Sequence, residues 1–289
     1  MKIIINILVV ISLISVAFLV SCTDSTQIKQ RSWKIVWQDE FNSIPADSLP
    51  DATKWNIREG GDGWGNQEKE FYTKRKKNVS IDSVNGVGCL KLTVRAESYS
   101  GSGWTSGRID SKGKYEPQYG LIIARIKLPY GTGLWPAFWM LGANIDSKTW
   151  PQCGEVDIME YKGQEPSLIH GTIHGPGYYG GGGITQSYGF IDMRFDNDYH
   201  TFAIVWTENG IDFYVDATVE NGSLSGGTLY RRITSDDVSG KGEWVFNHSF
   251  YLLLNVAVGG NYVGLVPNAN TLLPQTMYVD YVRVYEEVK

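Results

Sequence analysis

Three cysteines, four histidines and no surplus of basic residues are the first features of this 289-residue chain, and each scarcity removes a class of chemistry. Twenty-six Lys and Arg against thirty-one Asp and Glu leave a net charge of −5, so there is no basic face for nucleic acid. The glycine-rich stretch 175–183 carries no phosphate-loop lysine and runs into no helical pattern, which excludes a nucleotide cradle. The histidines form no tight cluster of the kind a transition metal requires. Helical periodicity is also scarce, with only one or two candidate segments. A long apolar run occurs at the extreme N-terminus, residues 3–20.

What is abundant points one way. Thirty-three glycines punctuate short alternating segments, the pattern of many strands joined by turns. About 260 residues follow the N-terminal run, a normal size for one all-β sandwich or barrel. Ten Trp and seventeen Tyr exceed what such a core requires, and with mild acidity they suit a carbohydrate cleft where flat rings stack on sugars. Met1-Lys2, the apolar run and the small residues Ser21-Cys22 form a secretory signal, and Leu19-Val20-Ser21-Cys22 resembles a bacterial lipobox. Residues 1–21 are therefore expected to be a lipoprotein signal peptide, with Cys22 lipidated, residues 22–32 a short tether, and 33–289 the catalytic domain. That places the protein on the bacterial cell envelope, at the outer membrane or cell surface. Cys89 and Cys153 are the remaining thiols; export permits a disulfide between them, and free buried cysteines are the favoured reading.

The chemistry concentrates in residues 150–161, where Glu155, Asp157 and Glu160 fall within six positions among strand formers. Like charges this close resist common ionisation, so at least one carboxyl keeps its proton near neutrality. A proton donor beside an ionised partner is what acetal cleavage needs. On a helix the three would scatter over different faces. On a strand Glu155 and Asp157 share a face, whereas Glu160 has the wrong parity. A β-bulge at Ile158-Met159 would supply the missing residue and bring all three to one side. Glu155 and Glu160 would then start about 13 Å apart at Cα, and long side chains leaning inward on a concave sheet could approach the roughly 5 to 5.5 Å carboxyl separation of retaining glycosidases.

The run Gly154-Glu155-Val-Asp157-Ile-Met-Glu160-Tyr161 resembles the active-site signature of family-sixteen glycoside hydrolases in its bulged, laminarinase form, and the likeness extends over residues 33–287. It implies an all-β jelly roll, two antiparallel sheets packed face to face with one curved into an open concave cleft. It also implies a retaining mechanism: Glu155 as nucleophile, Glu160 as acid/base and Asp157 between them. Family position places Asn66, Glu68, Arg108, Trp135, Trp139, Trp150, His174 and Asn255 at the sugar-binding cleft. Trp135 and Trp139 lie four apart and would form parallel platforms on one face of a strand. His170 shares a strand face with His174 and reads as structural. Many relatives hold a structural calcium, for which Glu40 and Asp280 are the candidates; no cofactor is implied for catalysis. Two departures stand out. Asp216-Ala217 replaces an expected Asp-Gly turn, and Tyr262 stands where tryptophan is expected.

An open cleft admits the middle of a polymer, so endo cleavage of a β-glucan is expected, β-1,3-glucan first and mixed-linkage β-1,3-1,4-glucan second. A galactan hydrolase of the agarase or carrageenase kind ranks third, since Arg108 is the one obvious cation near the cleft. A non-catalytic, glycan-binding surface lipoprotein on the same fold is the rival from another class. Nothing suggests an oligomer.

Overall fold

The computed structural model describes residues 31–42, 45–84 and 87–289. The signal segment, Cys22 and nearly all of the tether lie outside the described residues. In chain order the strands are β1 Trp33–Asp39, β2 Asn56–Ile57, β3 Glu70–Tyr72, β4 Val79–Val84, β5 Val87–Tyr99 and β6 Ser102–Ser106. There follow β7 Arg108–Asp110, β8 Gly120–Lys127, β9 Leu134–Gly142, β10 Glu155–Tyr161, β11 Leu168–His174 and β12 Ile184–Gly189. The last five are β13 His200–Thr207, β14 Gly210–Glu220, β15 Ser223–Thr234, β16 Phe250–Val258 and β17 Gln275–Glu287. Helix is confined to single turns, among them Ser235–Val238 and Gly260–Val263.

Two sheets form the jelly roll. One runs β12-β11-β10-β9-β16-β7-β2 and carries the cleft; the other runs β15-β14-β13-β8-β17-β5-β6-β3, with β1 on β17 and β4 on β5. The pairing is antiparallel except for β3 on β6. Strand parity divides the side chains cleanly. Along β16, Phe250, Leu252, Leu254, Val256 and Val258 enter the core between the sheets, which leaves Asn255 for the cleft face. Along β9, Leu134, Phe138 and Met140 point inward while Trp135 and Trp139 point out. A one-residue slip of β16 would move all five core side chains to the cleft at about 1.5–3 kcal/mol each, so burial fixes the register that places the site.

β8 is buried on both faces. Ile122, Ala124 and Ile126 face the core, whereas Leu121 and Ile123 lie under Trp33, Tyr281 and Tyr285 on the outer side. The turn between β13 and β14 is Glu208-Asn209, and Asp216-Ala217 is no turn at all: β14 continues to Glu220. Asp216 instead takes a left-handed φ of 58° within the strand, opposite Gly226 and Gly227, and its carboxylate lies 2.9 Å from His200 Nδ1. Cys89 and Cys153 are both buried and unpaired.

Candidate active site

β10 builds the centre of the site. Gly154 launches it at φ 74°, where a Cβ would meet the Phe250 ring at 2.9 Å, so the residue before Glu155 is held to glycine by backbone and by space. The bulge then appears where parity demanded it. Against β11, Asp157 pairs with Thr172 and Glu160 with His170, three steps on one strand for two on the other. Against β9, Asp157 pairs with Trp139 and Met159 with Phe138. Val156, Ile158, Met159 and Tyr161 are all buried in the core, and Glu155, Asp157 and Glu160 line the cleft together.

The three carboxyls are largely shielded from solvent, and among the described residues no lysine or arginine pairs with them. Glu160 accepts a hydrogen bond from Trp135 Nε1 at 3.0 Å and a longer one from Thr172 Oγ1 at 3.5 Å. His174 Nε2 lies 3.3 Å from Asp157 Oδ2 and 3.9 Å from Glu155 Oε1. Burial pushes Glu155 up to about 8, with the Asp157 charge adding to the rise and His174 opposing it. Burial pushes Asp157 up to about 8 as well, opposed by its hydrogen bond with Glu155. Glu160 is raised well above the usual carboxylate range, first by burial and then by the charge on Asp157. The cluster therefore retains protons at neutral pH and titrates as a unit. Such an arrangement can supply an ionised nucleophile and a protonated acid from the same strand.

Asn66, Glu68, Arg108, Trp135, Trp139, Trp150 and Asn255 line the same cleft, together with Trp64, Gly65, Ala137, Leu141 and Ile145, and His174 stands beside Glu155 and Asp157. Arg108 is buried with its guanidinium 4.5 Å from the Trp64 ring centroid and 5.0 Å from that of Trp139. Among the described residues no carboxylate pairs with it, and its Nε has no hydrogen-bond partner. A chain of hydrogen bonds then ties the cleft floor together. Trp139 Nε1 donates to Asn255 Oδ1 at 2.7 Å, Asn255 Nδ2 to the Tyr72 hydroxyl at 3.0 Å, and that hydroxyl to Glu68 at 2.9 Å, which Asn66 Nδ2 also reaches at 3.3 Å. Glu70 lies beneath Glu68, fully buried, and is raised by burial and by Glu68. His174 and Trp150 sit side by side with ring centroids 6.2 Å apart. Tyr262 packs on Trp135 at 4.9 Å. His170, opposite Glu160 in the sheet, accepts or donates at Nδ1 with Ser187 Oγ at 2.8 Å.

Tyr72 and Trp64 are site residues that sequence reasoning passed over. Both are close in sequence to Asn66 and Glu68, Trp64 in the same loop and Tyr72 at the end of β3, but a buried tyrosine bonded from beneath leaves no periodic trace. Glu40 and Asp280, the calcium candidates, are both engaged in ion pairs. Glu40 is held in a two-pronged ion pair by Arg283 at 2.6 and 2.8 Å, and Asp280 by Arg125 at 2.8 Å. With their charges already met by guanidinium groups, these two carboxylates do not fit a calcium site. Among the described residues, three potential ligand atoms come within 4.8 Å of one another at Glu155, Asp157 and His174, which is the acid centre itself.

Known proteins share this architecture and sequence. The profile described as "Glycosyl hydrolases family 16" matches residues 66–225. A β-glucanase of Rhodothermus marinus is 38% identical over 269 residues, 90% of this chain and 88% of that protein. Glucan endo-1,3-β-glucosidase A1 of Niallia circulans is 36% identical over 88% of this chain but only 38% of its own length. The laminarinase catalytic domain of Thermotoga maritima superposes with a TM-score of 0.77 at 40% identity, over 89% of this chain and all of that domain. The matched profile spans more than half the chain, and these relatives match it nearly end to end: the protein is a glycoside hydrolase and belongs to family 16.

Proposed function

We propose that the protein is a retaining, endo-acting β-1,3-glucanase that also accepts mixed-linkage β-1,3-1,4-glucan. The observation that carries this reading is the bulge in β10, which sets three protonation-coupled carboxyls in an aromatic-lined open cleft. Relatives named as β-glucanase, glucan endo-1,3-β-glucosidase and laminarinase support the choice of polymer. Glu155 attacks the anomeric carbon to form a covalent glycosyl-enzyme while protonated Glu160 gives its proton to the leaving oxygen. Glu160, now a carboxylate, takes a proton from water, which attacks the same carbon and releases Glu155 with the configuration retained. Asp157, on the same cleft face, raises the proton affinity of both Glu155 and Glu160 through its charge. Trp135 orients Glu160 through its indole N–H.

The N-terminal sequence supports export and attachment to the cell envelope through a lipid on Cys22. We assign the folded domain as a monomer acting on polysaccharide at that surface, with no cofactor in catalysis. The test is product analysis of purified protein incubated separately with laminarin, lichenan, agarose, carrageenan and keratan sulfate. Short gluco-oligosaccharides from laminarin, with retained anomeric configuration by NMR, are the expected result. Cleavage of a galactan alone would replace the glucan assignment, and binding without cleavage would make the protein a glycan receptor.

A further inference from the structure

The glycine-rich loop 175–183, which the sequence excludes as a nucleotide cradle, follows β11 directly. Gly175 and Tyr178 exchange backbone hydrogen bonds of 3.0 Å in both directions, which closes the loop's base. The Tyr178 ring is buried at 1% exposure and its hydroxyl donates to the Glu243 carbonyl at 2.7 Å. Gly177, at φ 87°, lies against the Lys241 backbone so closely that a Cβ would sit 2.0 Å from its carbonyl oxygen. At the other end, Gly183 rests on the His174 ring, where a Cβ would meet Cε1 at 2.4 Å. The base is thus fixed to the body at three points, while Gly180, Gly181 and Gly182 have open space around them.

Tyr179 follows the buried Tyr178 in extended backbone, with φ −143° and ψ 167°, so its side chain is thrown to the opposite side. It stands 51% exposed and meets Trp150, itself 40% exposed, at 5.4 Å between centroids and 79° between planes. Two large rings therefore form a right-angled corner in solvent, neither of them contributing to the core. Trp150 already lines the cleft and touches His174 beside the acids. The corner continues the cleft outward past its described wall.

We propose that Tyr179 and Trp150 together form an outer sugar subsite, with one ring beneath a glycosyl residue and the other against its edge. The occupant is a further β-linked glucosyl unit of the chain being cleaved, a step that rests on the glucan-hydrolase reading above. A rigidly based tyrosine loses little freedom on contact, since only its own two side-chain torsions remain to be ordered. Tyr179 acts as a specificity determinant that rewards longer substrates.

The test compares the full-length wild type with Tyr179→Ala and Tyr179→Trp on β-1,3-gluco-oligosaccharides of increasing length. Tyr179→Ala is expected to raise KM about tenfold on oligomers long enough to reach the rim and progressively less on shorter ones, with Tyr179→Trp restoring the length dependence. Unchanged KM at every length overturns the subsite. So does an equal loss at every length, which would mark Tyr179 as a prop for Trp150. Tryptophan-fluorescence titration with the longest oligomer, run on wild-type and Tyr179→Ala proteins that also carry Glu155→Gln, gives a reading independent of turnover. If the wild type binds but cleaves no glucan, the hydrolase reading fails while weaker binding by Tyr179→Ala still upholds the subsite, and equal binding still refutes it.

Discussion

Replacing Glu155 with glutamine should destroy activity and at the same time stabilise the fold at neutral and alkaline pH. Burial raises the Glu155 carboxyl from 4.5 to about 8. A carboxyl with a raised folded pKa binds its proton more tightly in the folded state than in the unfolded one. Its contribution is therefore fully present below the unfolded value and is lost as pH rises through the folded value. At about 1.36 kcal/mol per pH unit, the interval from 4.5 to pH 7 amounts to about 3 kcal/mol for a carboxyl acting alone. Glu155 shares its proton with Asp157, so the wild type relieves part of this, leaving about 1 to 2 kcal/mol to be recovered by removing the charge. For a domain of this size that corresponds to a rise in Tm of roughly 2–8 °C. Calorimetric melting of wild type and Glu155→Gln from pH 5 to pH 9 reads it directly. The two curves should meet near pH 5 and separate with increasing pH as the wild type falls. Parallel curves, or a variant less stable at pH 8, would refute the argument that this carboxyl is strained by its surroundings.

Three other perturbations probe other parts of the argument. Deleting Ile158 removes the bulge and should turn Glu160 away from the cleft, abolishing turnover while leaving a β-rich circular dichroism spectrum; retained activity would show that parity does not place the acid. Asn255→Ala strands Trp139 Nε1 and removes the bond that the Tyr72 hydroxyl accepts, so urea denaturation should report a loss of roughly 1–3 kcal/mol, accompanied by a higher KM. EGTA should shift Tm by less than about one degree if Arg283 and Arg125 serve as counter-charges for Glu40 and Asp280, since no metal then contributes mass-action stability; a calcium-dependent rise of several degrees would reinstate a metal there.

The legible parts of the molecule are those that one strand carries by itself. Glu160's odd parity beside Glu155 and Asp157 is a local fact, and it called for a bulge before any neighbour was known. Trp135 and Trp139 share a face by the same two-residue period, and the five core residues of β16 announce Asn255 as the exception among them. What stayed hidden depends on who sits opposite. Tyr72 bridges Glu68 and Asn255 across 183 residues of sequence, and no single segment records that. A turn at Asp216 is expected from the family pattern alone, and the glycines opposite the point where the strand continues past it, Gly226 and Gly227, lie on the partner strand.

The same distinction separates the acid centre from most of the chain's buried carboxylates, Glu68 and Glu70 being the other buried acids without a cation among the described residues. Asp39 is as buried as Asp157, yet it accepts from Trp55 Nε1 at 2.8 Å and has Lys54 Nζ at 3.3 Å. Asp110 receives Arg58, Asn56 and the Lys112 amide. Glu40 and Asp280 have their arginines. On β10 the partners are an indole N–H, a distant threonine hydroxyl and a histidine shared between two carboxylates. None of these supplies a fixed positive charge. Placing a lysine or arginine against the cluster would stabilise the ionised forms and lower the proton affinity on which an acid catalyst depends. Arg108 shows how the fold avoids this: the guanidinium within the cleft lies between the rings of Trp64 and Trp139, on the opposite side of β9 from the strand that bears the acids. Function at this site thus follows from partners withheld as much as from residues present, which is why it becomes readable only when the strands are set side by side.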